Sequence, residues 1–207
     1  MTAFPDFSSP PADPHPLLHQ WMQTADAHEP HDALAASLAS VDASGAPNWR
    51  MILVKALPQP NEPGSGFVFF THEASPKARE IADGRAALGW HWKSLRRQLR
   101  ARGTVGEVAA KTADAYFATR SRQSQLSAWA SQQSAPLADA QELEARVQEA
   151  AARFADKPVP RPPFWRGYSL IPLDLEFWQD GPARLHKRLL YRRTAPGAPW
   201  TWGRLYP

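Results

Sequence analysis

Leu17, Leu18, Trp21, Met22 and Ala25 recur at intervals of three and four, which places one apolar stripe on a helix opened by Asp13-Pro14. Small apolar residues follow from Leu34 to Val41, and Asp42-Ala43-Ser44-Gly45 makes a turn. The stretch Trp49 to Leu57, with its branched run RMILVKAL, predicts a strand; after a loop over 58–66, FVFFT (67–71) predicts its return. Ser75-Pro76 predicts a second helix start, with Gly84 as its stop. Strands are expected over 86–92 and 97–109. Thr112 is the candidate cap of a helix through Phe117, with a continuation past a break towards Trp129 left open. Leu137, Ala140, Leu143, Val147, Ala151 and Phe154 trace an amphipathic helix, and the prolines between 158 and 163 interrupt the chain. Three strands finish it, over 168–178, 188–193 and 200–205. Seven or eight strands with few helices and no alternating rhythm predict an α+β chain built on an antiparallel barrel or sheet. No internal repeat or domain boundary is visible, so residues 1–12 read as a flexible tail and 13–207 as a single domain.

Composition narrows the class. The 207 residues are 43% hydrophobic and include nine Trp, which excludes a disordered chain. No apolar run approaches the roughly 20 residues of a spanning helix, so no membrane association is expected. The Pro-rich start lacks the pattern of a signal peptide, and without Cys there are no disulfides, thiolate metal sites or thiol catalysis; the expected location is the cytoplasm. The net charge of +4 comes from 18 Arg and 6 Lys against 20 acidic residues. Guanidinium forks suit phosphate and carboxylate ligands, although a composition bias accounts for the excess equally well.

The common phosphate and nucleophile motifs are absent: no G-x-x-x-x-G-K-[ST], no G-x-G-x-x-G and no G-x-S-x-G. His15 and His19, four apart, have no carboxylate partner in the pattern and read as a solvated helix face. Three features carry possible chemistry. Tyr116, Arg120 and Ser124, spaced by four, would share one face of a continuous helix as a phosphate clamp; an exposed polar stripe is the plainer reading. Ser75-Pro76-Lys77 could hold a phosphate at a helix start, or be an ordinary capped helix. Arg184, His186 and Arg188 alternate, so on an extended segment they would converge on one face beside Trp178, and otherwise form a basic surface strand.

These residues sit within longer blocks that carry a resemblance. RMILVK (50–55), FVFFT with SPKA (67–78), RRQLRARG (96–103), YFATRSRQSQLSAWASQQS (116–134), VPRPPFWRGY (159–168), EFWQDGPARLHKRLLYRR (176–193) and the terminal RLYP occur in order. From about Asp13 to Pro207 the chain resembles the pyridoxamine 5'-phosphate oxidase family, FMN enzymes of vitamin B6 metabolism. The resemblance implies a split β-barrel that dimerises through its C-terminal region, with FMN bound across the subunit interface. For FMN it implies contacts from Arg50, Met51, Ile52, Leu53, Val54, Lys55, Phe70, Thr71, Lys77, Gln98, Gln133, Ser134, Trp178 and Arg188. For the substrate it implies Lys55, Tyr116, Arg120 and Ser124 on the 5'-phosphate, with Arg184 and His186 as the catalytic pair around the pyridine ring. The implied reaction oxidises pyridoxamine or pyridoxine 5'-phosphate to pyridoxal 5'-phosphate, with O2 as acceptor and hydrogen peroxide released.

Departures from the family pattern fall mainly on the cofactor side. Pro76 stands where an Arg usually reaches the FMN phosphate, removing a charge-assisted bond of roughly 1.5–3 kcal/mol. Phe70 replaces a frequent Tyr, Lys187 a frequent Asp, and SSPPADP occupies a place where a basic segment is often found. Two rivals remain: a flavin oxidase of the same superfamily acting on another reduced ring, of the phenazine-precursor type, and a non-catalytic module for FMN, pyridoxal phosphate or RNA. The basic run Arg96 to Arg102 near Trp90 and Trp92 would suit RNA, but no RNA-binding signature accompanies it, so no nucleic-acid partner is expected.

Overall fold

In the computed structural model, which describes residues 7, 9–62 and 64–207, one long strand organises the rest. β6 (Trp165–Gln179) lies antiparallel to β5 (Arg97–Glu107) along most of its length. On its other edge it pairs first with β3 (Phe67–His72) and then with β7 (Lys187–Arg192). Beyond β5 the sheet continues through β4 (Arg85–Trp92) and β1 (Ala35–Val41) to β2 (Pro47–Leu53). The chain leaving β2 then folds back on β3: the Lys55 N–H donates to the Val68 carbonyl at 2.7 Å, and the Val68 N–H to the Ala56 carbonyl at 3.0 Å. Six strands thereby close a barrel, while β7 and β8 (Thr201–Leu205) extend from the other half of β6.

The change of partner along β6 accompanies a register shift between Arg102 and Gly103 on β5. An extra residue at such a point bends the strand and strengthens its twist. Only glycine fits there, because a β-carbon on Gly103 would lie 1.9 Å from the Ile171 carbonyl oxygen.

The barrel interior is filled by Leu38, Val54, Phe67, Phe69, Leu88, Trp90, Leu99, Leu170, Leu175 and Phe177, all at most 2% exposed. α1 (His15–His28) joins the same core with the stripe read from its spacing, and Trp21 meets Phe177 edge-on at 5.1 Å. Each fully buried Leu or Phe contributes roughly 1.5–3 kcal/mol, so this face fixes the helix far more firmly than its intrinsic propensity. A smaller core forms where α3 (Ala110–Thr119), α4 (Arg122–Ala130) and α5 (Ala140–Arg153) gather Phe117, Leu126, Ala150 and Phe154 around Trp165 of β6. α2 (Pro76–Glu80) links β3 to β4.

The α+β antiparallel reading is the observed architecture, with local differences. The strand expected to Leu57 ends at Leu53. Thr112 lies inside the first turn of α3, whose cap position is Ala109. Asp13 does serve α1, since its carboxylate accepts the His15 N–H at 3.0 Å, and its Oδ1 also lies 2.5 Å from His15 Nδ1. His19 Nε2 faces the Pro58 carbonyl at 2.9 Å, so each histidine of the pair spends one ring nitrogen on the fold, and His15, expected on a solvated face without a carboxylate, is buried against Asp13. Of the stretch read as a flexible tail, residues 1–6 and 8 lie outside the described residues. Phe7 is buried against Trp21, and the Pro11 carbonyl accepts the Tyr191 hydroxyl at 2.8 Å, so this part of the stretch is packed on the body. Among the described residues no helix is long and apolar enough to cross a membrane.

Candidate active site

A cleft of about 560 Å³ opens between the barrel and the helical layer, a size ordinary for small-molecule sites. One wall is the end of β2 and the residues after it, Arg50, Met51, Ile52, Leu53 and Lys55. Phe70 and Thr71 of β3, Lys77 of α2, and Gln133 and Ser134 after α4 extend it. Tyr116 and Arg120 close the far side. Twelve of the residues singled out in the sequence therefore meet in one place, although they span 85 positions from 50 to 134. Val54 does not join them: it is fully buried in the barrel core.

Polar groups in the cleft are held in place. Lys77 Nζ donates to Gln133 Oε1 at 3.1 Å and to Thr71 Oγ1 at 3.3 Å, and the Thr71 hydroxyl donates to the same Gln133 oxygen at 2.6 Å. Burial lowers the Lys77 pKa from its ordinary value, and the nearby Arg50 charge lowers it further while Glu80 acts in the opposite direction. Ser134 holds φ at +68°, a left-handed conformation that costs a non-glycine residue roughly 1–2 kcal/mol. Such strain persists where surrounding contacts impose it, often at a ligand site.

Arg120, at the end of α3, is the cation on the helical side of the cleft. Its guanidinium lies 5.2 Å from the Trp165 ring centre and 5.6 Å from that of Phe117. Nη1 is buried and has no hydrogen-bond partner among the described residues, and burial lowers the group's pKa. An unmet charged donor in such surroundings costs about 1–3 kcal/mol or more, a cost that an incoming anion would remove. Beside it, Tyr116, Phe70 and Trp165 stack nearly parallel, with Phe70 4.4 Å from Tyr116 and 4.7 Å from Trp165.

The clamp expected on one continuous helix takes another form. α3 stops at Thr119, Arg120 is extended (φ −71°, ψ 148°), and Ser121 caps a new helix by accepting the Ser124 N–H. Tyr116 and Arg120 still share the cleft, whereas Ser124 is not part of its lining and its hydroxyl accepts from Ser121 at 2.8 Å. Re-phased by the break, α4 presents Ser127 and Ala128, followed by Ser131. These residues, together with His72 and Trp165, were not singled out in the sequence; Ser127 and Ser131, four apart, were the helical-face signal that could have found two of them.

The remaining expected residues form a second group on another surface. Gln98, Trp178 and Arg188 are cross-strand neighbours on β5, β6 and β7, one continuous row on the outer face of the sheet. In that row Arg188 donates to Glu176 at 2.8 Å, and Arg188 lines a separate hollow of about 450 Å³ with Arg100, Arg102 and Glu176. Burial alone would raise the Glu176 pKa, but bonds from Arg188 and Arg100 hold it below the usual value. Arg184 and His186 are not on an extended segment, which corrects the alternating pattern. Pro182–Arg184 is a 3-10 turn with φ +51° at Ala183 and +63° at Arg184. His186 instead packs on Trp178 at 4.7 Å and faces the Asp180 carboxylate at 2.9 Å, not two guanidiniums. None of these five residues lines the first cleft.

A closed antiparallel barrel with strands running off one edge and a cation-rich, aromatic-walled cleft at its side defines a split-barrel chain. The same fold occurs in a pyridoxamine 5'-phosphate oxidase-related, FMN binding protein from Nostoc punctiforme, with a TM-score of 0.74 at 17% identity over 96% of this chain and 100% of that one. Residues 25–154 match the profile for "Pyridoxamine 5'-phosphate oxidase", and residues 165–207 the profile for "Pyridoxine 5'-phosphate oxidase C-terminal dimerisation region". A pyridoxine/pyridoxamine 5'-phosphate oxidase from Nitrobacter hamburgensis is 50% identical over 197 residues, 95% of this chain and 90% of that one. One from Maricaulis maris is 50% identical over 94% of this chain and 86% of its own length. PhzG from Burkholderia lata 383, solved in complex with tetrahydrophenazine-1-carboxylic acid, has a TM-score of 0.89 at 31% identity and covers 100% of this chain and 98% of its own. The chain belongs to the pyridoxamine 5'-phosphate oxidase family.

Proposed function

We propose that this chain is an FMN-dependent oxidase that forms pyridoxal 5'-phosphate from pyridoxamine or pyridoxine 5'-phosphate, passing electrons to O2 and releasing hydrogen peroxide. With the amine substrate, water is consumed and ammonia released. The observation that carries the reading is the buried, unpartnered Nη1 of Arg120 beside Tyr116, an anion subsite built into the same cleft as Arg50, Lys55 and Lys77.

The donor set fits FMN. Arg50, Lys77, Thr71, Gln133 and Ser134 supply cationic and neutral donors for a phosphate and a polar chain, while Met51, Ile52, Leu53 and Phe70 supply an apolar wall for a flat ring. When bound, the flavin supplies a two-electron acceptor that O2 regenerates. Arg120 and Tyr116 would bind the substrate phosphate, with Lys55 nearby and Ser124 assisting through the helix start at Ser121. The phosphate is remote from the carbon that reacts, so its binding energy serves orientation. Gln98, Trp178, Arg188, Arg184 and His186 would be contributed by a second copy of the chain, which explains why two groups of expected residues lie on different surfaces. Arg184 and His186 would then hold the pyridine ring. The match of 165–207 to a dimerisation region supports a homodimer.

The likeness to PhzG favours a second reading, a tricyclic carboxylate in place of the phosphorylated pyridine, because Arg120 and Tyr116 also suit a carboxylate. The 50% identity to oxidases of pyridoxine and pyridoxamine phosphate supports the first. Purified protein should be yellow and release pyridoxal 5'-phosphate and hydrogen peroxide from pyridoxamine 5'-phosphate. Absence of turnover with both B6 phosphates, alongside oxidation of a dihydrophenazine carboxylate, would reverse the preference.

A further inference from the structure

We propose that Glu80 is a positioning residue for the cofactor site: its buried carboxylate fixes the Arg50 guanidinium in the wall of the cleft. The inference rests on the flavin reading of that cleft.

Glu80 ends α2, and its side chain is only 8% exposed. Its Oε2 accepts Arg50 Nη2 at 2.5 Å and the Ser40 hydroxyl at 2.6 Å, while its Oε1 accepts Asn48 Nδ2 at 2.9 Å. Ser40 closes the network by accepting Arg50 Nη1 at 2.5 Å. Three elements thus meet on one carboxylate: α2, β1 through Ser40, and β2 through Asn48 and Arg50. Burial alone would raise the Glu80 pKa, but the bonds from Ser40, Asn48 and Arg50 keep it ionised below the usual value. A long arginine side chain loses rotamer freedom whenever it binds, and one already held at both terminal nitrogens has met that cost beforehand.

Simple electrostatics gives the opposite sign, which makes the inference testable. Removing Glu80 leaves Arg50 and Lys77 without their nearest shared counter-charge, and the added positive charge alone would tighten an anionic cofactor. Positioning demands that the cofactor weaken instead. The decisive experiment is a double-mutant cycle on the full-length protein with Arg50→Ala, Glu80→Ala and the pair. FMN affinity is read from flavin fluorescence on serial dilution, and folding from thermal melting. Glu80→Ala is expected to weaken FMN about tenfold or more, and to add less than about twofold when Arg50 is already alanine. Glu80→Gln, which keeps an acceptor oxygen, should restore part of the affinity and is read in the same cycle if the alanine variant does not fold. Equal losses in both backgrounds would make Glu80 merely structural, and tighter FMN in Glu80→Ala would mean that charge outweighs positioning; either overturns the inference. Wild-type affinity in Arg50→Ala would overturn the flavin reading of this wall, and the inference with it, whereas loss in Arg50→Ala with none in Glu80→Ala overturns the inference alone.

Discussion

Gly167 faces Phe70 across the β3–β6 ladder, and its missing side chain is what lets the Phe70 ring lie flat beside Trp165. A β-carbon at Gly167 would stand 2.7 Å from the Phe70 ring and 2.6 Å from a methyl of Val108. Gly167→Ala should therefore push Phe70 out of the stack. Overpacking of this kind costs roughly 1–3 kcal/mol, and each kcal/mol lowers the Tm of a chain this size by about 2–4 °C. Because Tyr116 rests on the same ring, the KM for pyridoxamine 5'-phosphate should rise in the same variant. Melting and steady-state kinetics check the two effects separately.

Arg120→Ala should raise the KM for pyridoxamine 5'-phosphate about tenfold to a hundredfold while FMN content stays near that of the wild type. The asymmetry follows from the unpartnered Nη1, which is available to a substrate anion but is not joined to the Lys77, Thr71 and Gln133 group. An FMN deficit equal to the KM change would place Arg120 on the cofactor instead.

Separation of the expected residues onto two surfaces makes a genetic prediction. Arg120→Ala and His186→Ala should each impair turnover as homodimers, His186→Ala by slowing flavin reduction in anaerobic single turnovers, as Arg184→Ala should also do. When the two variants are unfolded and refolded together, each mixed dimer has one site with both residues intact. Half of the dimers are mixed and each restores one site of two, so about a quarter of wild-type activity should return. No recovery would mean that both residues serve a site within one chain.

Tyr191 gives the fold an alkaline limit. Burial first, and the Asp13 charge second, push its pKa up to about 12 from an ordinary 10. The unfolded chain therefore releases the proton first. The stability linked to the neutral hydroxyl is complete below pH 10 and declines as pH rises towards 12. Tyr191→Phe loses the bond to the Pro11 carbonyl at neutral pH, yet should flatten the fall in Tm between pH 10 and 12. An unchanged slope in that window would assign the alkaline loss to other groups.

Sequence patterns conveyed the parts of this molecule that are governed locally. The α1 stripe was readable because every residue in it faces one core, and the β3 run was readable from its branched and aromatic residues. A break before Trp129 was left open, but its place at Arg120 was not readable, because no Gly or Pro marks it; the signal was Ser121, a capping residue followed three positions later by the N–H it accepts. The turn at Ala183 and Arg184 places two ordinary side chains at positive φ, which spacing arguments assume away, although Gly181-Pro182 just before them favours a turn. Barrel closure by Lys55 and Ala56 against Val68 depends on how β6 divides its two edges, a matter of tertiary pairing. For the candidate site, family resemblance named the residues, while their division between two surfaces required the fold.

Arg204 Nε and Nη2 both donate to the Phe7 carbonyl, at 2.9 and 2.8 Å, across a separation of 197 positions. Loop closure grows costlier with length, by only about 0.6 kcal/mol per doubling, but a clasp spanning almost the whole sequence has nothing to gain until the barrel between its halves exists. It is therefore expected to form late in assembly, after the rate-limiting barrier. Contacts made that late leave the speed of folding untouched and govern how slowly the native state comes apart. Removing the clasp, as in Arg204→Ala, should thus shorten the lifetime of the finished molecule, read as faster unfolding in denaturant, and leave the folding rate unchanged.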